Sequence, residues 1–138
     1  MEPRRDFELL PEDQKFLDDY GLRWETILDG SQWVLVHEFP SQSEGYVQPL
    51  VTIAIRLETG YPMTGLDMVY VYPALRRKDG QSIGATQATQ TIAGIVYQRW
   101  SRHRSQQNPW KPGQDNIGNH IFLIEDWFAR EFEKCPHR

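Results

Sequence analysis

The sequence predicts a small α+β domain with one sheet and a helix towards each end. Three observations support this fold class: alternating apolar residues in the first half of the chain, short turns between those runs, and a helical apolar stripe near the end. At 138 residues, the chain has room for one hydrophobic core. We therefore expect residues 1–138 to form a single domain.

The first predicted element is a short helix. It begins at Pro11, because proline suits the first helical position, and the acids Glu12 and Asp13 follow at the positive end of the helix dipole. Gly21 is expected to end the helix, since glycine adopts the left-handed conformation of a helix cap at little cost.

A β-hairpin is expected next. Asp29 and Gly30 stand between two alternating runs, which is a strong hairpin signal because both residue types tolerate the positive φ angles of a tight turn. The two faces of the second hairpin strand follow from its period of two. One face is expected to carry Trp33, Leu35, His37 and Phe39, and the other Val34 and Val36.

Two further strands complete a predicted meander. The third strand is expected to place Val51, Ile53, Ile55 and Leu57 on one face and Thr52, Ala54 and Arg56 on the other. Gly60, Tyr61 and Pro62 then turn the chain. The fourth strand is expected around Leu66, Met68, Tyr70 and Tyr72. Four successive strands joined by short turns predict an antiparallel meander.

The second half of the chain is predicted to be less regular than the first, and it ends in a helix. Residues 73–92 are polar and contain two glycines, and loops of this length are often functional. The final helix is expected from about Gln114 to Glu133 and is expected to pack across the sheet. Its apolar stripe consists of Ile117, Ile121, Ile124, Phe128 and Phe132. The predicted order is a short N-terminal helix, a four-stranded antiparallel meander, an irregular active-site segment and a C-terminal helix.

Composition argues against several classes of function. The net charge of −4 gives no reason to expect a nucleic-acid or membrane partner. No apolar run approaches the roughly 20 residues of a membrane span, and the start, MEPRRDFELL, lacks the apolar stretch of a secretory signal. The only cysteine is Cys135, so no disulfide framework is expected and a cytoplasmic location fits best.

Several motifs carry a resemblance to a known family. Tyr61-Pro62 before the fourth strand and Trp110-Lys111-Pro112 before the last helix are similar to two features of ubiquitin-conjugating enzymes. The series GYP, YQRWSRHR, PWKPG and EDWFAREF resembles a bacterial branch of that superfamily, the prokaryotic ubiquitin-conjugating family E. The resemblance extends from about Leu10 to Phe132 and implies a ubiquitin-like protein and an activating enzyme as partners.

The catalytic cysteine of the superfamily is missing at the expected place. The family's histidine-proline-asparagine triplet corresponds at best to Tyr72-Pro73-Ala74, and no cysteine lies between these residues and Trp110. Counting back from Trp110 by the family's usual interval leads to Ser101 and Arg102. The resemblance therefore implies Ser101 as the nucleophile and an oxyester in place of a thioester.

Ser101 would need a base, because a serine hydroxyl is a weak nucleophile at its ordinary pKa. His103 is the candidate, since residues i and i+2 share a face of an extended segment and histidine titrates near neutral pH. Positive charge nearby would stabilise a developing oxyanion or hold the tail of a ubiquitin-like protein. The residues expected to bind the substrate are Arg99, Trp100, Arg102 and Arg104.

Two other functions compete with an enzyme. Loss of both the cysteine and the asparagine favours an inactive binding module that positions a ubiquitin-like protein or its activating enzyme. Nucleic-acid binding through RWSRHR and RRK, with Trp100 stacking on bases, is disfavoured by the net acidity and the shortness of these runs. His37 and His120 fall in apolar patterns and are expected to be structural, and no zinc-like spacing occurs, so no metal or other cofactor is expected.

Overall fold

The computed structural model describes residues 2–133 and confirms the α+β class. The helices are α1 (Pro11–Tyr20) and α2 (Ile117–Arg130), and the strands are β1 (Trp24–Leu28), β2 (Gln32–Pro40), β3 (Leu50–Leu57), β4 (Val69–Tyr72), β5 (Thr89–Ile92) and β6 (Ile95–Trp100). Within these residues the strands form one sheet in the order β1-β2-β3-β4-β6-β5, and every neighbouring pair is antiparallel.

The sheet contains the predicted meander and two further strands. Strands β1 to β4 follow the expected order, but the segment 73–92 ends in β5, which forms a hairpin with β6. Ala93 and Gly94 make the turn with φ angles of 50° and 82°, as a tight two-residue hairpin requires. The polar sequence Thr-Gln-Thr-Ile of β5 gives little strand signal, because only one of its residues is apolar.

Helix α2 covers one face of the sheet, as predicted. Its buried residues Ile117, Ile121, Ile124 and Phe128 join the alternating residues of β3 in one core cluster. The helix begins later than Gln114 because the Asn116 side chain caps it, accepting a hydrogen bond from the Asn119 amide at 2.9 Å. Because these apolar residues recur at helical spacing, they lie on one side of α2 and pack against the sheet.

Asp13 connects the two helices with the loop before β4. Its carboxylate accepts a hydrogen bond from the Ile117 amide at 3.2 Å and another from the Tyr61 hydroxyl at 2.7 Å. The side chain is buried, and this burial raises the pKa of Asp13 above its usual value. A residue of α1 thus satisfies a backbone donor at the start of α2 and holds the Tyr61-Pro62 turn in place.

A β-bulge changes the face of Phe39. The pairing of β2 with β3 shifts between Val36 and Phe39, and Glu38 within this shift has a φ of 54°. Phe39 therefore lies in the core beneath α2 together with Val36, while Trp33 packs on the opposite face. The expectation that Phe39 shares a face with Trp33 is wrong, because the extra residue of the bulge reverses the alternation.

A second apolar cluster occupies the face of the sheet opposite α2. It consists of Ile27, Trp33, Leu35, Ala54, Tyr70, Ile92 and Tyr97. The sheet curls around this cluster, so that the turn after β5 reaches the turn after β1: the Ala93 amide donates to the Asp29 carboxylate at 2.7 Å. The curl buries both faces of a sheet that has only two helices to cover it.

Candidate functional site

Ser101 lies where β6 separates from its regular pairing with β4. Val69 pairs with Trp100, whereas the Met68 amide donates to the Arg102 carbonyl at 3.0 Å, so the register shifts by one residue at Ser101. The Ser101 amide donates instead to the Ala85 carbonyl at 3.0 Å. The bulge holds the backbone of Ser101 between the start of β4 and the segment before β5.

His103 lies beside Asp67, which sequence reasoning did not single out. The two side chains are joined by a hydrogen bond of 2.6 Å between Nδ1 of His103 and Oδ2 of Asp67. Because the carboxylate can only accept, Nδ1 of His103 donates the proton of this hydrogen bond. The histidine side chain is 63% exposed and that of Asp67 41% exposed, so the pair lies at the surface.

The expected contact between Ser101 and His103 is not formed. Within residues 2–133, no hydrogen bond joins the two side chains, and the Ser101 hydroxyl makes none. Ser101 is half-buried and His103 is exposed. The structure brings the two residues into one surface segment without aligning them for proton transfer.

Two of the predicted substrate-binding arginines are engaged within the protein. Arg102 donates to the Gly84 carbonyl at 3.0 Å, and its guanidinium lies 4.7 Å from the ring centre of Trp100. Arg104 lies 3.7 Å from the Asp115 carboxylate and 4.9 Å from the ring centre of Trp110. These contacts hold the segment after β6 against its neighbours, although Nε of Arg104 is buried without a hydrogen-bond partner among residues 2–133.

Trp100 does not fit the predicted role of a substrate contact. Its side chain is fully buried, with its ring centre 4.9 Å from that of Phe128 in α2. Its indole N–H donates to the Gln98 side chain at 2.9 Å. Trp100 belongs to the core, because the inward face of β6 meets the stripe of α2 there.

Arg99 is the predicted substrate-binding residue that keeps a free guanidinium. It stands directly opposite Tyr70 in the pairing of β4 with β6. Within the described part of the chain its guanidinium makes no hydrogen bond and no ion pair, and its Nε is buried without a partner. A buried donor without an acceptor is costly, and Nε of Arg99 shares this state with Nε of Arg104.

A shallow cleft of about 430 Å³ runs along the candidate site. Asp67 and His103 line it together with Leu66, Pro109 and Trp110. The cleft therefore places the Asp67–His103 pair beside an apolar wall, and Ser101 is not one of its lining residues.

His120 fixes the start of β4 from the side of helix α2. It is fully buried, and its Nε2–H donates to the Met68 carbonyl at 2.9 Å. Burial lowers the pKa of His120 to about 4, and the positive charge of Arg104 acts in the same direction, so the ring is neutral at pH 7. The expectation of a structural histidine is confirmed here. By holding the Met68 carbonyl, His120 also anchors the backbone next to Asp67.

His37 is structural as well. Its Nε2 lies 2.8 Å from the buried carboxylate of Glu25, and its Nδ1 lies 3.1 Å from the Thr52 hydroxyl. Arg4 binds the same carboxylate at 2.9 Å, and these partners lower the pKa of Glu25 far below its usual value. This network is separate from the segment of Ser101 and offers no free group for catalysis.

The described residues contain neither a membrane-spanning helix nor a cluster of metal ligands. Between residues 2 and 133, no helix is both long enough and apolar enough to cross a membrane. Over the same residues, no group of three or more histidine, cysteine, aspartate or glutamate side chains could hold a metal ion. The one cysteine of the sequence, Cys135, lies outside the described residues.

Comparison with known proteins agrees with the motifs. The model of a family described as prokaryotic E2 family E, where E2 denotes a ubiquitin-conjugating enzyme, matches residues 9–131. This range contains both helices, the whole sheet and the segment from Ser101 to Trp110. No curated protein and no solved structure matches the chain. The chain therefore belongs to prokaryotic E2 family E and is a protein of the ubiquitin-conjugating type.

Proposed function

We propose that this chain accepts the C-terminus of a ubiquitin-like protein from an activating enzyme, holds it as an oxyester on Ser101, and passes it to an acceptor. In this proposal the protein works in the cytoplasm, with the ubiquitin-like protein and the activating enzyme as its partners. The observation that carries the proposal is the 2.6 Å hydrogen bond between Asp67 and His103, two residues beyond Ser101.

His103 is suited to be the general base. Its Nδ1–H donates to Asp67, so Nε2 is available to accept a proton from the Ser101 hydroxyl. The Asp67 carboxylate orients the imidazole and stabilises the imidazolium that forms on proton transfer. Since apo sites often align these groups only when substrate binds, the open distance between Ser101 and His103 would close in the complex.

These groups account for every bond and every proton of the acyl transfer. The Ser101 oxygen attacks the activated carbonyl carbon of the tail, a C–O bond forms, and the bond from that carbon to the leaving group of the activating enzyme breaks. The Ser101 proton passes to Nε2 of His103 and from there to the leaving group. In the second step a nucleophile of the acceptor displaces the Ser101 oxygen, which regains a proton.

A non-catalytic binding module is the second candidate. It is favoured by the absence of a hydrogen bond between Ser101 and His103 within residues 2–133, because an unassisted serine is a poor nucleophile. In that case the cleft beside Asp67 would position the ubiquitin-like protein or its activating enzyme without carrying an acyl group.

The decisive experiment mixes the protein with its activating enzyme, its ubiquitin-like partner and ATP, and looks for a shifted band on a gel. We expect a band that survives thiol reductant and is cleaved by mild alkali, because it is an oxyester. Ser101→Ala should abolish it, whereas Ser105→Ala, which changes an exposed serine of the same segment, should not. His103→Ala should slow its formation by about 10²–10⁴-fold if the histidine is a general base.

Two results would contradict the enzyme. A band that disappears with reductant, or that persists in Ser101→Ala, would exclude the oxyester on this residue. If an activating enzyme of proven activity gives no band but the protein still binds either partner in a pull-down, the binding module is correct.

A further inference from the structure

Two unpartnered arginine donors lie on one face of the sheet. Four buried side-chain atoms among residues 2–133 have no hydrogen-bond partner, and two of them are the Nε atoms of Arg56 and Arg99. Both arginines lie beside Tyr70 on the face opposite α2. Because a buried N–H without an acceptor costs free energy, two of them around one side chain indicate an acceptor that the protein itself does not supply.

The strand pairings explain why the two arginines share a face of the sheet with Tyr70. Tyr70 of β4 stands opposite Ala54 on one side and opposite Arg99 on the other. Arg56 follows Ala54 by two residues in β3 and therefore has the same face. Its guanidinium carbon lies 5.8 Å from the ring centre of Tyr70 and 5.1 Å from that of Trp33.

The charge of this pair is poorly compensated. The carboxylate of Glu58 lies 3.8 Å from Arg56, and the Gln90 side chain accepts from Arg56 at 3.5 Å, both long for such contacts. Arg99 has no anionic partner among residues 2–133. By contrast, Arg77 binds carboxylates at 2.6 and 2.9 Å. The fold therefore pairs Arg77 with two close carboxylates but provides no close carboxylate for Arg56 or Arg99 among residues 2–133.

The tyrosine between the arginines responds to both charges. Burial raises the pKa of Tyr70 above its usual value, and the positive charges of Arg56 and Arg99 oppose this rise. The same two charges would repel each other, and an anion placed between them would remove that repulsion. A guanidinium presents its N–H groups as a planar fork that matches carboxylate and phosphate oxygens.

We propose that Arg56 and Arg99, which both lie beside Tyr70, form an oxyanion-binding site that takes a carboxylate or phosphate group. Arg99 lies two residues before Ser101 in the chain. The proposed site nevertheless binds its anion whether or not Ser101 carries an acyl group. The shared chemistry is an oxyanion with two oxygens available to the two forks. Its sources are an acidic side chain of a bound peptide or a free phosphate ion.

The test follows the Nε–Hε signals of Arg56 and Arg99 by nuclear magnetic resonance while sodium phosphate is added. Ionic strength is held constant with sodium chloride, so that screening does not change. We expect both signals to shift and to saturate. Arg99→Gln should weaken phosphate binding by about 10- to 100-fold, the loss expected for charged hydrogen bonds. Arg76→Gln, which removes an exposed arginine whose side chain has no partner among residues 2–133, should bind phosphate as the wild type does.

A second arm identifies the source of the anion. A short acetylated peptide with one aspartate is compared with the same peptide carrying asparagine. Shifts caused by the aspartate peptide alone assign the site to acidic side chains, and shifts caused by phosphate but by neither peptide assign it to free phosphate. If Arg99→Gln does not fold, as judged by its amide spectrum, Arg56→Gln takes its place. The absence of saturable shifts with any ligand, or unchanged binding in the folded variant, would overturn the proposal.

Discussion

The indole N–H of Trp110 donates a hydrogen bond of 2.9 Å to the carbonyl oxygen of Pro62, 48 residues earlier in the chain. The two residues belong to the two short motifs that precede β4 and α2. The Trp110 ring also covers Gly65, where an added Cβ would lie 2.7 Å from the ring. The contact fixes the end of the segment that begins at Ser101 against the loop that leads to Asp67.

Gly65→Ala should destabilise the protein by roughly 1–3 kcal/mol, because the added methyl group overpacks the contact with Trp110. Gly84→Ala is the matched control, since no described residue lies within 4 Å of the place that its new methyl group would take and its φ is not positive. Urea unfolding monitored by circular dichroism measures both. Equal free energies of unfolding for the two variants would show that the Trp110 ring moves aside without cost.

Phe39→Ala should lower the free energy of unfolding by about 3–5 kcal/mol. The bulge at Glu38 buries Phe39 completely, where its ring centre lies 6.0 Å from that of Phe128. Phe122→Ala is the control, because that side chain on α2 is 54% exposed and should cost far less. Equal stability of the two variants would contradict the burial of Phe39 beneath α2.

His120 should make the protein less stable as the pH falls from about 6.5 to about 4. The folded histidine has its pKa lowered to about 4, whereas the unfolded chain binds a proton near pH 6.5, so protons favour the unfolded state in this window. The decrease in the free energy of unfolding that His120 contributes should approach about 3 kcal/mol near pH 4. Unfolding curves of the wild type and of His120→Gln between pH 7 and pH 4 measure it, and parallel pH profiles would contradict the prediction.

Cys135→Ser should leave any conjugating activity unchanged, because the proposed acyl carrier is Ser101. Cys135 lies outside the described residues, and it stands between Lys134 and Pro136 in the sequence. The assay is the gel shift with activating enzyme, ubiquitin-like partner and ATP. Complete loss of the band in this variant would make Cys135 the carrier and would replace the oxyester with a thioester.

Local patterns in the sequence were enough to predict strand β3 and helix α2, whose apolar residues recur with a regular period. The alternation from Val51 to Leu57 predicted both faces of β3, and the stripe from Ile117 to Phe128 predicted the face of α2 that packs on it. These predictions succeed because the periods of a strand and of a helix follow from backbone geometry alone. The family motifs are also short stretches of sequence, so the resemblance to the family can be recognised without the structure.

Only the tertiary structure decided which distant residues meet. Nothing local in the sequence shows that Asp67 would bind His103, 36 residues away, or that Arg56 and Arg99 would flank Tyr70. These contacts follow from the pairing of β4 with β3 and β6 and from the bulge at Ser101, which shifts the register by one residue. The register of a strand pair depends on how much apolar surface the whole strands bury and on the entropy lost in closing the loop between them. Neither quantity can be read from the local period of apolar residues.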